Sequence, residues 1–163
     1  MLYDKFEDIK IIDSLGNKVG SIKDIYINLE TWEIPALKIS PGTLKKSFII
    51  KTDDIHKLDM DDMDAVLKDG YETGEIPDTP QKSMFPYHEL RSKKVVDKHG
   101  EKLGKVYNIE IPVEKLEEYK VWKLLVKVGI KERRLRISPS EVKEIMEDIN
   151  LSKSEEEYKA ELE

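Results

Sequence analysis

Ile11-Ile12-Asp13-Ser14-Leu15-Gly16-Asn17-Lys18-Val19-Gly20-Ser21-Ile22-Lys23-Asp24-Ile25-Tyr26-Ile27 recurs without a gap as Val95-Val96-Asp97-Lys98-His99-Gly100-Glu101-Lys102-Leu103-Gly104-Lys105-Val106-Tyr107-Asn108-Ile109-Glu110-Ile111, 84 residues on (Asp13 to Asp97). A repeat of this kind means that one structural unit is used twice. Asp13 and Gly16, like Asp97 and Gly100, hold the first and fourth places of a tight turn. Asp suits the first place because its carboxylate accepts nearby backbone N–H groups, and Gly the fourth because it tolerates positive φ. Each copy therefore predicts a hairpin, Ile11-Ile12 with Val19–Ser21 and Val95-Val96 with Leu103–Lys105. Gly20 and Gly104 fall inside the outgoing strand, where glycine marks a bulge, a bend or a close backbone approach. Ile25 and Ile27 alternate with polar residues but Ile22 is out of phase with them. Ile109, Ile111 and Val106 repeat the slip. A bulge near Lys23-Asp24 and near Tyr107-Asn108 restores one buried face.

Outward from this core, Trp32–Ile39 pairs with Trp122–Val128 as strands that start near an aromatic. The acidic stretch ahead of Trp122, with Glu114, Glu117 and Glu118, reads as an extended hairpin loop. Phe48–Ile55 pairs with Leu135–Val142. Each copy is expected to close in a helix. In the second, Ser138-Pro139-Ser140-Glu141 is a capping box with proline at the first helical position, and Val142, Ile145, Met146 and Ile149 form an apolar stripe. In the first, Asp59–Asp62 is the cap region, Ala65, Val66 and Leu67 follow, and Gly70 is the stop. The expected fold is mainly β: two small six-stranded units at 1–70 and 88–150, each with a short C-terminal helix. An extended, mobile linker at 71–87 and a charged tail at 151–163, frayed helix or disordered, complete the chain.

The bulk properties bound the function. The 163 residues carry a net charge of −6 and no cysteine. Disulfides and thiolate metal sites are excluded. The N-terminus is too charged for a signal peptide, and no apolar run approaches the roughly 20 residues of a membrane span, so a cytoplasmic protein is expected. Residues 1–80 hold 10 Lys and 17 acids, and residues 81–163 hold 18 Lys or Arg and 17 acids. An overall negative charge disfavours general nucleic-acid binding. No Ser-His-Asp set, phosphate loop or paired-carboxylate motif is present, so no catalytic residue, cofactor or metal ligand is assigned. His56, His88 and His99 lack metal-ligand spacing. The acids at Asp59, Asp61, Asp62 and Asp64 lack the Gly and closing Glu of a calcium loop and read as a helix start.

Two groups are candidates for binding a partner. Lys131, Arg133, Arg134 and Arg136 place three of the four arginines on one strand, with Arg134 and Arg136 on one face and Leu135 and Ile137 on the other. Arginine suits carboxylate or phosphate. The alternative is a solvated face. Met84, Phe85 and Tyr87 make an apolar end to the linker. They are either an exposed anchor or packing at the joint of the two units. Trp32 and Trp122 are expected in the core.

The repeated stretch resembles the PRC-barrel family, named after the soluble domain of the photosynthetic reaction-centre H subunit and shared by a ribosome-maturation factor. Gly16 to Ile25 follows its pattern closely. Gly100 to Ile109 follows it with Asn108 where the first copy has Asp24. The polar-polar-apolar steps Asp53-Asp54-Ile55 and Ser140-Glu141-Val142 fit as well. The resemblance spans roughly residues 5–70 and 88–150. It implies small, strongly bent barrels without common enzymatic residues that serve as docking modules. Tandem members are typical of archaea, and some resemble adaptors that bind the membrane anchor of the tubulin-like division ring. The resemblance thus implies a non-catalytic adaptor that docks a protein through an exposed barrel edge or the inter-barrel groove. Homodimerisation through the same edges and recruitment to the division site belong to this reading. Its rival is a ribosome- or RNA-associated factor using the arginine strand.

Overall fold

The computed structural model describes residues 1–7, 9–42, 45–112, 119–129 and 133–159. After helix α1 (Tyr3–Phe6) come β1 (Lys10–Ile12), β2 (Lys18–Ile27), β3 (Ala36–Ser40), β4 (Phe48–Lys51), β5 (Ile55–Asp59), β6 (Asp64–Leu67), β7 (Thr73–Gly74) and β8 (Phe85–Pro86). Helix α2 (Tyr87–Arg91) leads into β9 (Lys94–Val96), β10 (Lys102–Glu110), β11 (Lys123–Val128), β12 (Arg133–Ile137), β13 (Val142–Ile145), β14 (Ile149–Leu151) and helix α3 (Glu155–Lys159). One sheet runs β5-β6-β1-β2-β3-β4-β7, with β8 also on β2. The other runs β13-β14-β9-β10-β11-β12. The six strands that begin with β1 and those that begin with β9 thus have one order. Each set has one parallel pair, β1 with β6 and β9 with β14. Apolar residues of both sets merge into a single core that includes Ile11, Ile25, Leu37, Val95, Ile109 and Val126. Two thin modules gain a shared interior this way. Among the described residues no helix is long and apolar enough to cross a membrane.

The repeated turns form as their residue types dictate. Gly16 N donates to Asp13 O and Gly100 N to Asp97 O, both at 3.0 Å, with φ of +86° and +81° at the glycines. The Asp13 carboxylate accepts Leu15 N and Asn17 N at 3.0 and 2.8 Å. The Asp97 carboxylate accepts His99 N and Glu101 N at 2.8 and 2.9 Å. Both bulges are present: register shifts between Ile22 and Asp24 on β2 and between Val106 and Asn108 on β10.

Neither predicted closing helix exists. Pro139–Glu141 is a single 3-10 turn, after which Val142–Ile145 and Ile149–Leu151 pair as a hairpin. The matching segment is the 3-10 turn Thr52–Asp54 followed by the β5–β6 hairpin. The apolar spacing suits a helix, but β14 and β6 lie parallel to β9 and β1 and complete the sheets. Ladder partners and burial override a local preference that is weak over so few residues. The acids at Asp59–Asp64 are the hairpin turn, with the Asp59 carboxylate accepting Asp61 N and Asp62 N at 3.0 and 3.1 Å.

Residues 152–159 of the tail pack against the second sheet. Ser154 and Glu157 form a capping box, the Ser154 hydroxyl accepting from Glu157 N and the Glu157 carboxylate accepting from Ser154 N, both at 3.3 Å. Tyr158 is buried and donates to Glu141 at 3.0 Å. Glu155 N donates to Asp97 Oδ2 at 2.7 Å. Burial raises the Asp97 carboxyl, but the N–H groups of Glu155, Glu101 and His99 outweigh it and hold the group below the usual carboxylate range. The folded form is therefore the stronger acid. Its stabilisation is complete above the unfolded value of about 4 and fades as the pH falls through the folded value. Asp97→Asn is expected to cost about 1–2 kcal/mol at neutral pH. The gap to the parent protein in urea midpoint should narrow below about pH 4. A gap that stays constant with pH would contradict this role.

The two halves exchange equivalent contacts. The repeat begins earlier than Ile11: Tyr3, Asp4 and Phe6 recur as Tyr87, His88 and Leu90. Leu2 bridges to Glu110, and Met1 and Ile111 exchange backbone bonds at 2.6 and 2.7 Å. Pro86 and Phe85 pair with Tyr26 and Ile27 in the same way. Each helix then sits on the other half's bulge. Asn108 accepts Tyr3 N at 3.1 Å and donates to Asp4 at 2.9 Å. Asp24 takes His88 Nδ1, the Tyr3 hydroxyl at 3.2 Å and Ile25 N at 2.9 Å. Asp24 is almost fully buried, and these partners satisfy its carboxylate. Tyr3 and Tyr87 meet between the halves with ring centroids 4.2 Å apart. Burial, followed by the charge of Asp24, holds the Tyr3 hydroxyl far above its ordinary pKa, so it remains a donor.

Candidate functional site

Strand alternation places an aromatic and cationic layer on the outer face of the second sheet. On β11, Leu124 and Val126 enter the core, while Lys123 and Lys127 turn outward. On β12, Leu135 and Ile137 enter the core, while Arg134 and Arg136 are exposed. The bulge on β10 leaves Tyr107 half-buried on the same outer face. The Lys127 ammonium and the Arg134 guanidinium lie 5.3 and 5.5 Å from the Tyr107 ring centroid. The Arg136 guanidinium and the Lys123 ammonium lie 5.5 and 6.0 Å from that of Trp122. Each ring thus carries two cations, a weakly favourable arrangement at exposed sites. Arg136 also grips Glu110 with both prongs of its fork, Nε at 3.1 Å and Nη2 at 2.7 Å. Glu110 therefore fixes the plane of Arg136 over Trp122. Arg133, Arg134 and Lys127 make no ion pair among the described residues.

Trp122 departs from the expected core position, being 56 % exposed, whereas Trp32 is buried. The two are not structural counterparts. Val106 faces Val126 as Ile22 faces Ile39, so Pro35 occupies the place of Trp122 and Tyr119 that of Trp32. Trp32 sits in a tight turn at φ +63°, with its carbonyl accepting Val121 N at 2.8 Å. Trp122 enters β11 and lines a groove of about 1310 Å³ with Met1, Leu2, Lys5, Glu110 and Ser138.

The two candidate groups read from the sequence are separated. Arg133, Arg134 and Arg136 do lie together on β12, the terminal strand of its sheet. Lys131 and the acidic loop at Glu114, Glu117 and Glu118 lie outside the described residues. Met84 and Phe85 pack on the first sheet, and Tyr87 opens α2. Met84 is half-buried against the small cluster of Tyr26, Ala36 and Ile49, and Phe85 forms part of β8. Tyr87 is wholly buried, which removes it as an exposed anchor. Segment 71–87 is not a free linker: β7 and β8 pair it with the first sheet, residues 82–83 form a turn, and Tyr87 opens α2. Of the histidines, His88 has acquired a partner in Asp24. Tyr107 and Trp122 were missed as surface groups, because their exposure depends on the bulge and on where β11 starts.

The fold and this face define a class: a duplicated, mainly β protein that presents a ready-made cationic, aromatic surface from its second half. Residues 82–151 match the PRC-barrel domain family, so that half contains a PRC-barrel domain. The match takes in β8 and α2 as well as β9–β14, in keeping with a repeat that starts ahead of the helix. No curated protein matches the chain.

Proposed function

We propose that the chain is a non-catalytic adaptor that binds another protein through the outer face of its second half. The observation that carries this reading is Trp122, more than half exposed and braced by Arg136 and Lys123. An exposed tryptophan beside arginine is the composition of an interface centre, since a rigid ring loses little entropy when a partner covers it. The finer version is a tandem pair of PRC barrels, monomeric or homodimeric. It would work in the cytoplasm and be recruited to the division site by the membrane anchor of a tubulin-like ring. Support for that version comes from the resemblance of both halves to the family, not from site residues. Co-purification from cells with quantitative mass spectrometry tests it: recovery of no division-ring component counts against the division role. For whichever protein is recovered, Trp122→Ala should weaken binding by about 2–4 kcal/mol with the melting temperature unchanged. Undiminished binding would remove the face from the reading.

A ribosome- or RNA-associated role is the second reading. The cations stacked on Tyr107 favour it, since phosphate and base both suit such a surface. It requires affinity to fall steeply with salt.

A further inference from the structure

The first half carries its own ligand. β7 adds to the edge of β4, Ile49 facing Gly74 and Ile50 facing Thr73, as an antiparallel strand. Beyond it, Ile76 and Met84 cover the outer-face cluster of Tyr26, Ala36 and Ile49. The register correspondence carries that surface onto the second half: β4 becomes β12, and Tyr26, Ala36 and Ile49 become Glu110, Lys123 and Arg136. There, however, the chain after β14 turns into α3 and packs on Asp97 and Glu141. Among the described residues β12 has one neighbour, β11. An unpaired strand edge is a template for another strand.

We infer that β12 accepts an extended acidic segment of a partner protein as an added strand, in the place that residues 72–76 occupy on β4. This rests on the adaptor reading and names its partner chemistry. Two observations select acid. The internal segment on β4 carries Glu72 and Glu75 with Asp69 and Asp78 on either side. The apolar cluster of the first half is replaced on the second by Glu110, Lys123 and Arg136, with Glu110 and Arg136 paired to each other, and beside them Lys127, Arg133 and Arg134 are free of ion pairs among the described residues. A strand laid on β12 would satisfy its backbone groups while its carboxylates meet these cations.

The probe is a capped peptide copying residues 69–80, Asp-Gly-Tyr-Glu-Thr-Gly-Glu-Ile-Pro-Asp-Thr-Pro, added to the full chain at about 1 mM, the range of weak binding. Amide hydrogen exchange should slow at Arg133–Ile137. Methylating one of the two alternating sets of peptide N–H groups should weaken binding about tenfold or more, because that set loses its backbone bonds. Replacing the acids by their amides should weaken it by a similar factor. The doubly substituted Arg133→Glu, Arg134→Glu chain should lose the peptide while melting at the same temperature. Absence of protection on β12 overturns the inference, as does affinity untouched by amide replacement. Binding that survives both methylated sets also overturns it, yet leaves side-chain docking on the Trp122 face intact and so spares the adaptor reading. Displacement of the peptide by oligouridylate with the same protection would make the edge a phosphate site and would equally refute it.

Discussion

Gly104→Ala is expected to destabilise the protein by about 3 kcal/mol or more, at or beyond the upper end for overpacking. A Cβ at this position would fall inside the van der Waals surface of the Lys127 carbonyl oxygen. That oxygen belongs to the backbone of β11 and cannot rotate away. The strands must part, and the ladder between β10 and β11 that carries Tyr107, Lys127 and the arginine strand parts with them. The counterpart Gly20→Ala should cost less, about 2 kcal/mol, because its Cβ would lie 2.5 Å from Ser40 O and 2.8 Å from Ile39 Cγ2, the latter a side chain that can yield. Gly100→Ala supplies the contrast: nothing lies within 4 Å, but φ is +81°, so about 1 kcal/mol of left-handed strain is expected. Urea unfolding of the three variants should give that order. A Gly104→Ala protein as stable as Gly100→Ala would show that β10 and β11 do not approach as closely as described.

Tyr87→Ala is expected to cost about 3–5 kcal/mol, the range for removing a buried aromatic ring. Its ring is wholly buried and packs at a tilt against Tyr3 where α1 and α2 cross from one half to the other. The truncation empties the centre of the joint, so both sheets should lose stability together in one transition. The hydroxyl behaves differently from the ring. It is buried without a hydrogen-bond partner among the described residues, and burial holds its pKa well above the ordinary tyrosine value. Tyr87→Phe should therefore be neutral or stabilise by up to about 1 kcal/mol. Tyr3→Phe should destabilise, because it removes a donor from the buried Asp24 carboxylate. Calorimetry of the three variants separates ring from hydroxyl. Loss of stability in Tyr87→Phe equal to that in Tyr87→Ala would contradict an unpartnered hydroxyl.

How far the sequence could be read depends on whether the signal was local. The Asp-x-x-Gly turns and the two bulges were legible, because each residue type answers to a backbone demand within a few positions of it, and Gly20 and Gly104 narrowed the outgoing strands to a bulge, a bend or the close approach found there. The inward and outward sides of β12 were legible for the same reason. Asp24 and Asn108, marked as a point of difference between the copies, turned out to be the seats for α1 and α2. The equivalence of Tyr3 and Tyr87 was in the sequence at the same spacing, but two short helices separated by mixed polar residues gave no apolar pattern to announce it.

The strands after the 3-10 turns were not legible. Val142, Ile145 and Ile149 satisfy a helical period as well as a hairpin with a turn at Met146–Asp148, and only the parallel alignment of Ile149 with Val95 favours the second. The capping box predicted at Ser138–Glu141 does not form, since the Ser138 hydroxyl accepts from Lys123 and the segment makes one 3-10 turn, whereas the box at Ser154–Glu157 heads α3. Trp122 was misplaced because the hairpin ahead of it is longer than its counterpart, which shifts the register by three residues.

The sequence by itself determined the duplication, the turn chemistry and the β class, since these rest on steric and hydrogen-bonding preferences of single residues and their neighbours. Only the tertiary structure decided which half seats which helix, that β12 has one neighbour among the described residues, and which tryptophan faces solvent. Those outcomes depend on contacts between residues far apart in the chain, where the free energy of shared burial and ladder pairing exceeds any local preference.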